Sequence, residues 1–191
     1  MIPFKRGINP LSLEEEITLG EWWSNKYLTK KASKLKPIWS WNGKYDLLKD
    51  ALFLCNNDHC AYCDCHPLKD DRGFEIDHFK PKTKFPLEAF TYLNLFPCCN
   101  ECNKKGNRYD ILLLKPDEID YKFENYFRYD SFTGEILVNT SKSEENQKRA
   151  FETIEIFRLN IGNKPRNRIT AIRKEIKHDT PFDERPYRYG Y

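Results

Sequence analysis

Apolar positions recur at helical spacing in four stretches of the chain and alternate in three short ones. Ser12-Leu13-Glu14-Glu15 has the form of a capping box, and it predicts a helix from about Leu13 to Tyr27 anchored by Trp22, Trp23 and Tyr27. Tyr45, Leu48, Ala51, Leu52 and Cys55 predict a second helix over Lys44 to Leu54, which would deliver the chain to a group of cysteines. Phe74 and Ile76 alternate with Glu75 and Asp77, the signature of a short strand. Pro81 and Pro86 exclude long regular structure between His78 and Leu87. A short helix is predicted from Glu101 towards Arg108, ended by Gly106. Tyr126 to Asp130 and Glu135 to Val138, flanking Ser131-Phe132-Thr133-Gly134, predict a β-hairpin. Ser141-Lys142-Ser143-Glu144 reads as a second capping box before a helix to about Leu159, and a last helix is predicted over Arg166 to Lys177. The Lys-rich residues 29–37 read as a loop, Asn42-Gly43 as a turn, and the tail from Thr180 to Tyr191 as loosely held.

A chain of 191 residues suits one domain, or one core with an appendage. The pattern divides it into an N-terminal helical region (1–54), a cysteine-rich core (55–110) and a C-terminal hairpin with helices packed on that core (111–191). The fold class expected is α+β. No apolar run reaches the ~18–20 residues that a membrane helix needs. The opening Met1 to Gly7 lacks the apolar stretch of a secretory signal, so a cytoplasmic location without membrane association is expected. In that compartment seven cysteines favour metal ligation or free thiols over disulfides.

The net charge of +3 hides an uneven distribution. Residues 26–50 hold seven Lys or Arg against two Asp or Glu, residues 79–108 six against two, and residues 161–191 eight against four. Residues 51–78 hold two against six, and residues 109–160 seven against eleven. Positive charge therefore follows directly on Asp77-His78, where a polyanion would be attracted.

Two Cys-x-x-Cys pairs, Cys60 with Cys63 and Cys99 with Cys102, let four thiolates converge on one ion from two tight turns. This predicts a closed, structural Zn²⁺ site that contributes folding energy rather than chemistry. Cys98 with Cys102 gives the less suitable spacing, and Cys55, Cys65 and Cys98 read as small buried apolar residues. His59, directly before Cys60, is a poor candidate ligand.

Between the pairs lies Asp77-His78, and Asn103 follows the last cysteine. Hydrolysis of a phosphodiester needs a base to activate water and a cation to hold the phosphate and the leaving oxygen. An imidazole such as His78 suits the first task. The oxygen donors Asp77 and Asn103 suit a hard cation, Mg²⁺ or Mn²⁺. Glu75, on the strand face of Asp77, reads as a solvent-facing carboxylate. Lys80, Lys82, Lys104, Lys105 and Arg108 are candidate phosphate contacts.

The full pattern, Cys60-x-x-Cys63, Asp77-His78-x-x-Pro81, Asn94-Leu95 and Cys99-x-x-Cys102-Asn103-x-x-Gly106, resembles the zinc-bound HNH (His-Me finger, ββα-metal) endonucleases. The resemblance implies a ββα-metal core with four-cysteine zinc knuckles, embedded in flanking helices and a hairpin. It assigns His78 as general base, Asp77 and Asn103 as ligands of the catalytic ion, and Asn94 as the residue whose side chain braces the His-bearing loop. It also implies cleavage to a 5′-phosphate and a 3′-hydroxyl. The motif here opens with Asp-His in place of His-His, a variant that the family also uses. From about Lys44 to Lys174 the chain is similar to the HNH nucleases of Septu-type and retron-associated anti-phage systems. Those nucleases work with an ABC/SMC-like ATPase, so such a partner, and phage or plasmid DNA as target, are expectations from resemblance alone. A zinc-stapled module that binds nucleic acid or protein without cutting is the alternative, and a thiol redox protein a third. The tryptophans Trp22, Trp23, Trp39 and Trp41 could serve the partner or the core.

Overall fold

The computed structural model describes residues 1–29, 44–68, 73–176, 178 and 180–190. Trp39, Trp41, the Asn42-Gly43 turn and residues 30–37 of the Lys-rich stretch lie outside them, as does Lys177.

The first helix, α1, spans Leu13–Thr29. Its capping box forms as the sequence predicts: Glu15 N donates to Ser12 Oγ at 3.2 Å, and Ser12 N donates to Glu15 Oε2 at 2.8 Å. Leu19 and Trp23 of α1 bury against Ala89 and Phe90. The approach is close enough that a Cβ on Gly20 would meet Leu87 O at 2.2 Å. Helix α2, Lys44–Leu54, packs Leu48 and Leu52 on Tyr92 and Leu95. Both helices therefore press on the segment that follows His78.

The centre is a two-stranded antiparallel sheet. Strand β1 (Phe74–His78) pairs with β2 (Leu95–Cys99) in a register that sets Phe74 opposite Cys99, Asp77 opposite Phe96 and His78 opposite Leu95. A single turn, α3 (Asn100–Asn103), leaves the end of β2, shorter than the stretch to Arg108 predicted for it. Gly106 then takes φ +59°, a left-handed conformation that glycine adopts without strain. The order strand, strand, helix is a ββα arrangement.

Beyond it, β3 (Phe127–Tyr129) and β4 (Ile136–Val138) form the predicted hairpin. Asn160 extends β4 by accepting from Ile136 N at 2.9 Å and donating to Ile136 O at 2.8 Å. Helix α4 (Glu144–Ile156) starts later than the sequence pattern placed it. Its cap is Ser143, which accepts from Asn146 N, whereas the Ser141 hydroxyl donates to Asn139 Oδ1. Helix α5 spans Lys164–Glu175. The main core joins all of these parts. Tyr62 stacks on Phe157 at 3.7 Å between ring centroids, and Phe79 and Phe96 lie against the same pair.

The C-terminal segment is not loose. Arg188 Nη2 meets Asp64 Oδ1 at 2.6 Å and Asn56 Oδ1 at 2.9 Å, Arg188 N donates to Asp64 Oδ2, and Tyr189 Oη donates to Cys63 O. A buried carboxylate needs a partner. Asp64 finds it 124 residues away, a pairing that no local pattern could announce. None of the described helices is long and apolar enough to cross a membrane.

Candidate metal centre and phosphodiesterase cleft

Cys60 and Cys63 sit in a tight turn joined to β2 by Ala61 N donating to Pro97 O at 2.9 Å. Cys99 ends β2 and Cys102 lies on α3, so sheet and helix bring the second pair to the first. Four ligand sulfurs, those of Cys60, Cys63, Cys65 and Cys99, lie within 4.8 Å of one another, all buried. Such a cluster can hold a metal ion, and all-sulfur donors suit zinc. Backbone N–H groups of Cys63 and Cys99 point at Cys60 Sγ at 3.5 and 3.4 Å, the contact a thiolate accepts. Contacts among the thiols, that with Cys102 foremost, bring the Cys99 thiol down to about 4 and lower that of Cys63.

The compact set thus contains Cys65 where the spacing argument placed Cys102. Cys65, read from sequence as a small apolar residue, belongs to the cluster. Cys102 is also fully buried, and contacts with Cys60, Cys63 and Cys99 raise its thiol pKa. Five sulfurs therefore surround a site that needs four. Lys164 Nζ lies 3.3 Å from Cys102 Sγ. Burial acts to lower its pKa, but Cys102 and the neighbouring sulfurs outweigh burial and raise it. Cys98 is buried outside the group, and Cys55 donates to Leu52 O with its thiol pushed up to about 11 by burial. The His59 ring nitrogens lie against Asn57 O at 2.7 Å and Arg185 O at 3.0 Å, which places it among structural residues.

Along β1 a cleft of about 350 Å³ is lined by Glu75, Asp77, His78, Lys82, Asn103 and Asn107, among others. The sequence candidates His78, Asp77 and Asn103 thus come together. His78 Nε2 lies 2.9 Å from Ala89 O, and a carbonyl can only accept, so Nε2 carries the proton. The neutral ring then has its lone pair on Nδ1. Burial, with Lys82 adding to it, pushes the His78 pKa down to about 3, so the ring is neutral at physiological pH. Asn94 holds the loop after His78 with three bonds: Lys80 N donates to Oδ1 at 2.8 Å, and Nδ2 donates to Lys80 O and Glu88 O at 3.0 Å each.

Asp77 is buried, and its Oδ2 accepts from Tyr62 Oη at 2.6 Å while Oδ1 lies 3.2 Å from Lys105 Nζ. Burial raises the Asp77 pKa, opposed by the Lys105 ammonium and the Tyr62 hydroxyl. Lys105 is fully buried and also donates to His78 O at 2.8 Å. It therefore faces inward and is withdrawn from the candidate phosphate contacts. Lys82 lines the cleft, its pKa lowered by burial against the pull of Asp77. Lys80 pairs with Glu88, Lys104 with Glu101, and Arg108 Nε donates to Lys105 O. Glu75 is exposed on β1 at the cleft's edge.

Over 70 residues the chain is 34% identical to the Septu protein PtuB of Bacillus thuringiensis. The matched stretch covers 37% of this chain and 26% of that relative, so most of the relative's length has no counterpart in the match. No protein-family model matches the chain.

Tyr62, Lys164 and Cys65 were not legible as site residues in the sequence, and Lys105 was read there as a phosphate contact rather than as the buried partner of Asp77. Only Cys65 carried a signal, its position two residues after Cys63.

Proposed function

We propose that this chain is a metal-dependent HNH endonuclease that hydrolyses phosphodiester bonds of DNA and acts as an effector of anti-phage defence. The observation that carries the proposal is the cleft itself: a neutral imidazole with its lone pair on Nδ1, beside a carboxylate and a carboxamide, on a ββα element braced by Asn94. His78 serves as general base, taking a proton from the attacking water at Nδ1. The hydrogen bond to Ala89 O keeps the ring in the tautomer that this step requires.

The oxygen donors Asp77 and Asn103 fit a hard divalent cation, since each carboxylate oxygen retains a lone pair beyond its bond to Tyr62 or Lys105. Bound there, Mg²⁺ or Mn²⁺ would supply charge stabilisation at the phosphate and the leaving oxygen. Lys82, at the cleft wall, attracts the phosphate backbone. Zinc on the cysteine cluster would tie Cys99, at the end of β2 where α3 begins, to the turn that carries Cys60, Cys63 and Cys65, and so help to hold α3 and Asn103 against β1. The defence role, and an ABC/SMC-like ATPase as partner, rest on the partial similarity to PtuB together with the motif resemblance.

The engagement of Asp77 by a buried ammonium favours a second reading, a zinc-stapled binding module without cleavage. The two part at His78. In the endonuclease reading, His78→Ala abolishes Mg²⁺- or Mn²⁺-dependent nicking of plasmid DNA while zinc content and fold persist. Nicking that survives in that variant refutes the assignment.

A further inference from the structure

The cleft has an unusual charge balance for a cation site. Behind its floor, Lys105 Nζ lies 3.2 Å from Asp77 Oδ1, with neither side chain appreciably exposed, and the same ammonium donates to His78 O. Lys82 contributes a second positive charge at the wall. Against these stand the carboxylates of Asp77 and Glu75, so the four charges cancel. Protein sites gain affinity for hard divalent cations chiefly from the number of carboxylates, and Mg²⁺ is commonly held by one or two of them together with substrate phosphates. Here the buried carboxylate is already compensated, and an ion beside it would feel the ammonium across a few ångströms of low-dielectric interior. A nucleic-acid phosphate adds the missing negative charge.

We propose that Lys105 is a positioning and charge-compensating residue that makes divalent-ion binding at Asp77 and Asn103 depend on the nucleic-acid phosphate, so that ion and substrate enter the cleft together. This rests on the endonuclease reading and adds a restraint to it: the cleft is not loaded with its ion until a nucleic acid is present. Lys105 holds Asp77 from one side while Tyr62 holds it from the other, so the carboxylate keeps its place whether or not an ion is bound. Lys82 is the other cation that Asp77 draws on, but it is only half-buried at the wall, whereas Lys105 is fully buried with its ammonium against the carboxylate.

The test is a Mn²⁺ titration of the zinc-loaded full chain, followed by the electron paramagnetic resonance of free Mn²⁺, in a His78→Ala background that prevents hydrolysis. It is run with and without a short DNA duplex, the duplex's own binding being subtracted. The parent is expected to bind Mn²⁺ at least about tenfold more tightly with the duplex. Lys105→Met is expected to tighten binding without the duplex by about tenfold and to lose most of the coupling, while Lys105→Arg, which keeps the charge, behaves as the parent. Asp77→Asn reports whether the bound ion is the one at issue. Binding that Asp77→Asn weakens but Lys105→Met leaves unchanged overturns the proposal alone. If Lys105→Met does not fold, the parent decides, because equal affinity with and without the duplex also overturns it. Titrations that Asp77→Asn leaves unaltered sink the endonuclease reading, and the proposal with it.

Discussion

Replacing Asn94 by alanine removes three hydrogen bonds at once: one from Lys80 N, and those to Lys80 O and Glu88 O. The side chain is buried, so water does not readily replace it, and the lost bonds contribute about 1 kcal/mol each. The cost should be about 3 kcal/mol, and for a domain of this size that lowers the thermal midpoint by roughly 6–12 °C. Asn94→Asp is the sharper variant. Its carboxylate can still accept from Lys80 N, but it sets negative charge against two carbonyl oxygens that the carboxamide met at 3.0 Å. It should therefore be less stable than Asn94→Ala at neutral pH and recover part of the difference when acidified. Calorimetry or circular dichroism on zinc-loaded protein measures both, with zinc per chain expected to stay constant because the cysteines lie on other elements. A midpoint within about 2 °C of wild type for Asn94→Ala, or an Asn94→Asp protein as stable as wild type, would refute the bracing role.

Other expectations follow from the same geometry. The His78 ring, with its pKa down at about 3, should remain in the Nε2–H tautomer from pH 8 to pH 5 in long-range ¹H–¹⁵N spectra; a titration centred near 6.5 would contradict the burial argument. Because the folded pKa lies below the unfolded value, the stability tied to this ring is complete above about pH 6.5 and is lost as pH falls towards 3, which pH-dependent denaturant midpoints of wild type and His78→Ala would reveal by difference. Cys65→Ser and Cys102→Ser, compared for zinc per chain, decide which sulfur completes the site: the true ligand's loss lowers zinc affinity and the midpoint together, and the other's does not. Asp64→Asn leaves the buried Arg188 guanidinium with only the exposed Asp183, 3.8 Å away, as counter-charge and should cost about 3 kcal/mol, with the C-terminal segment opened to proteolysis. An unchanged digestion pattern would show that the segment is held by its aromatics instead.

The local features were legible because local forces set them. The Ser12–Glu15 capping box, the span of α2, the alternation of Phe74 and Ile76 and the hairpin turn at Gly134 each depend on neighbours within a few residues. Asp77, His78 and Asn103 were traceable to one cleft because two cysteine pairs of fixed spacing tie their elements together. The failures share the opposite cause. Lys104 and Lys105 are adjacent and alike in sequence, yet one is exposed and the other fully buried, because only Lys105 reaches Asp77. Cys65 looked like filler until the turn after Cys63, with Asp64 at φ +60° held by Arg188, carried its sulfur back to the cluster. Ser143 rather than Ser141 caps α4 because Asn139 takes the Ser141 hydroxyl. In each case a tertiary partner selected among residues that pattern alone treats as equal.

The most direct test is a plasmid-nicking assay on zinc-loaded wild type and His78→Ala side by side, in Mg²⁺ or Mn²⁺, each alone and with a co-expressed ATPase partner. Wild type should convert supercoiled DNA to nicked or linear product bearing 5′-phosphates, weakly alone and strongly with the partner, while His78→Ala does neither. Equal activity in the two proteins, or none from wild type under any of these conditions, would contradict a hydrolytic centre at this cleft.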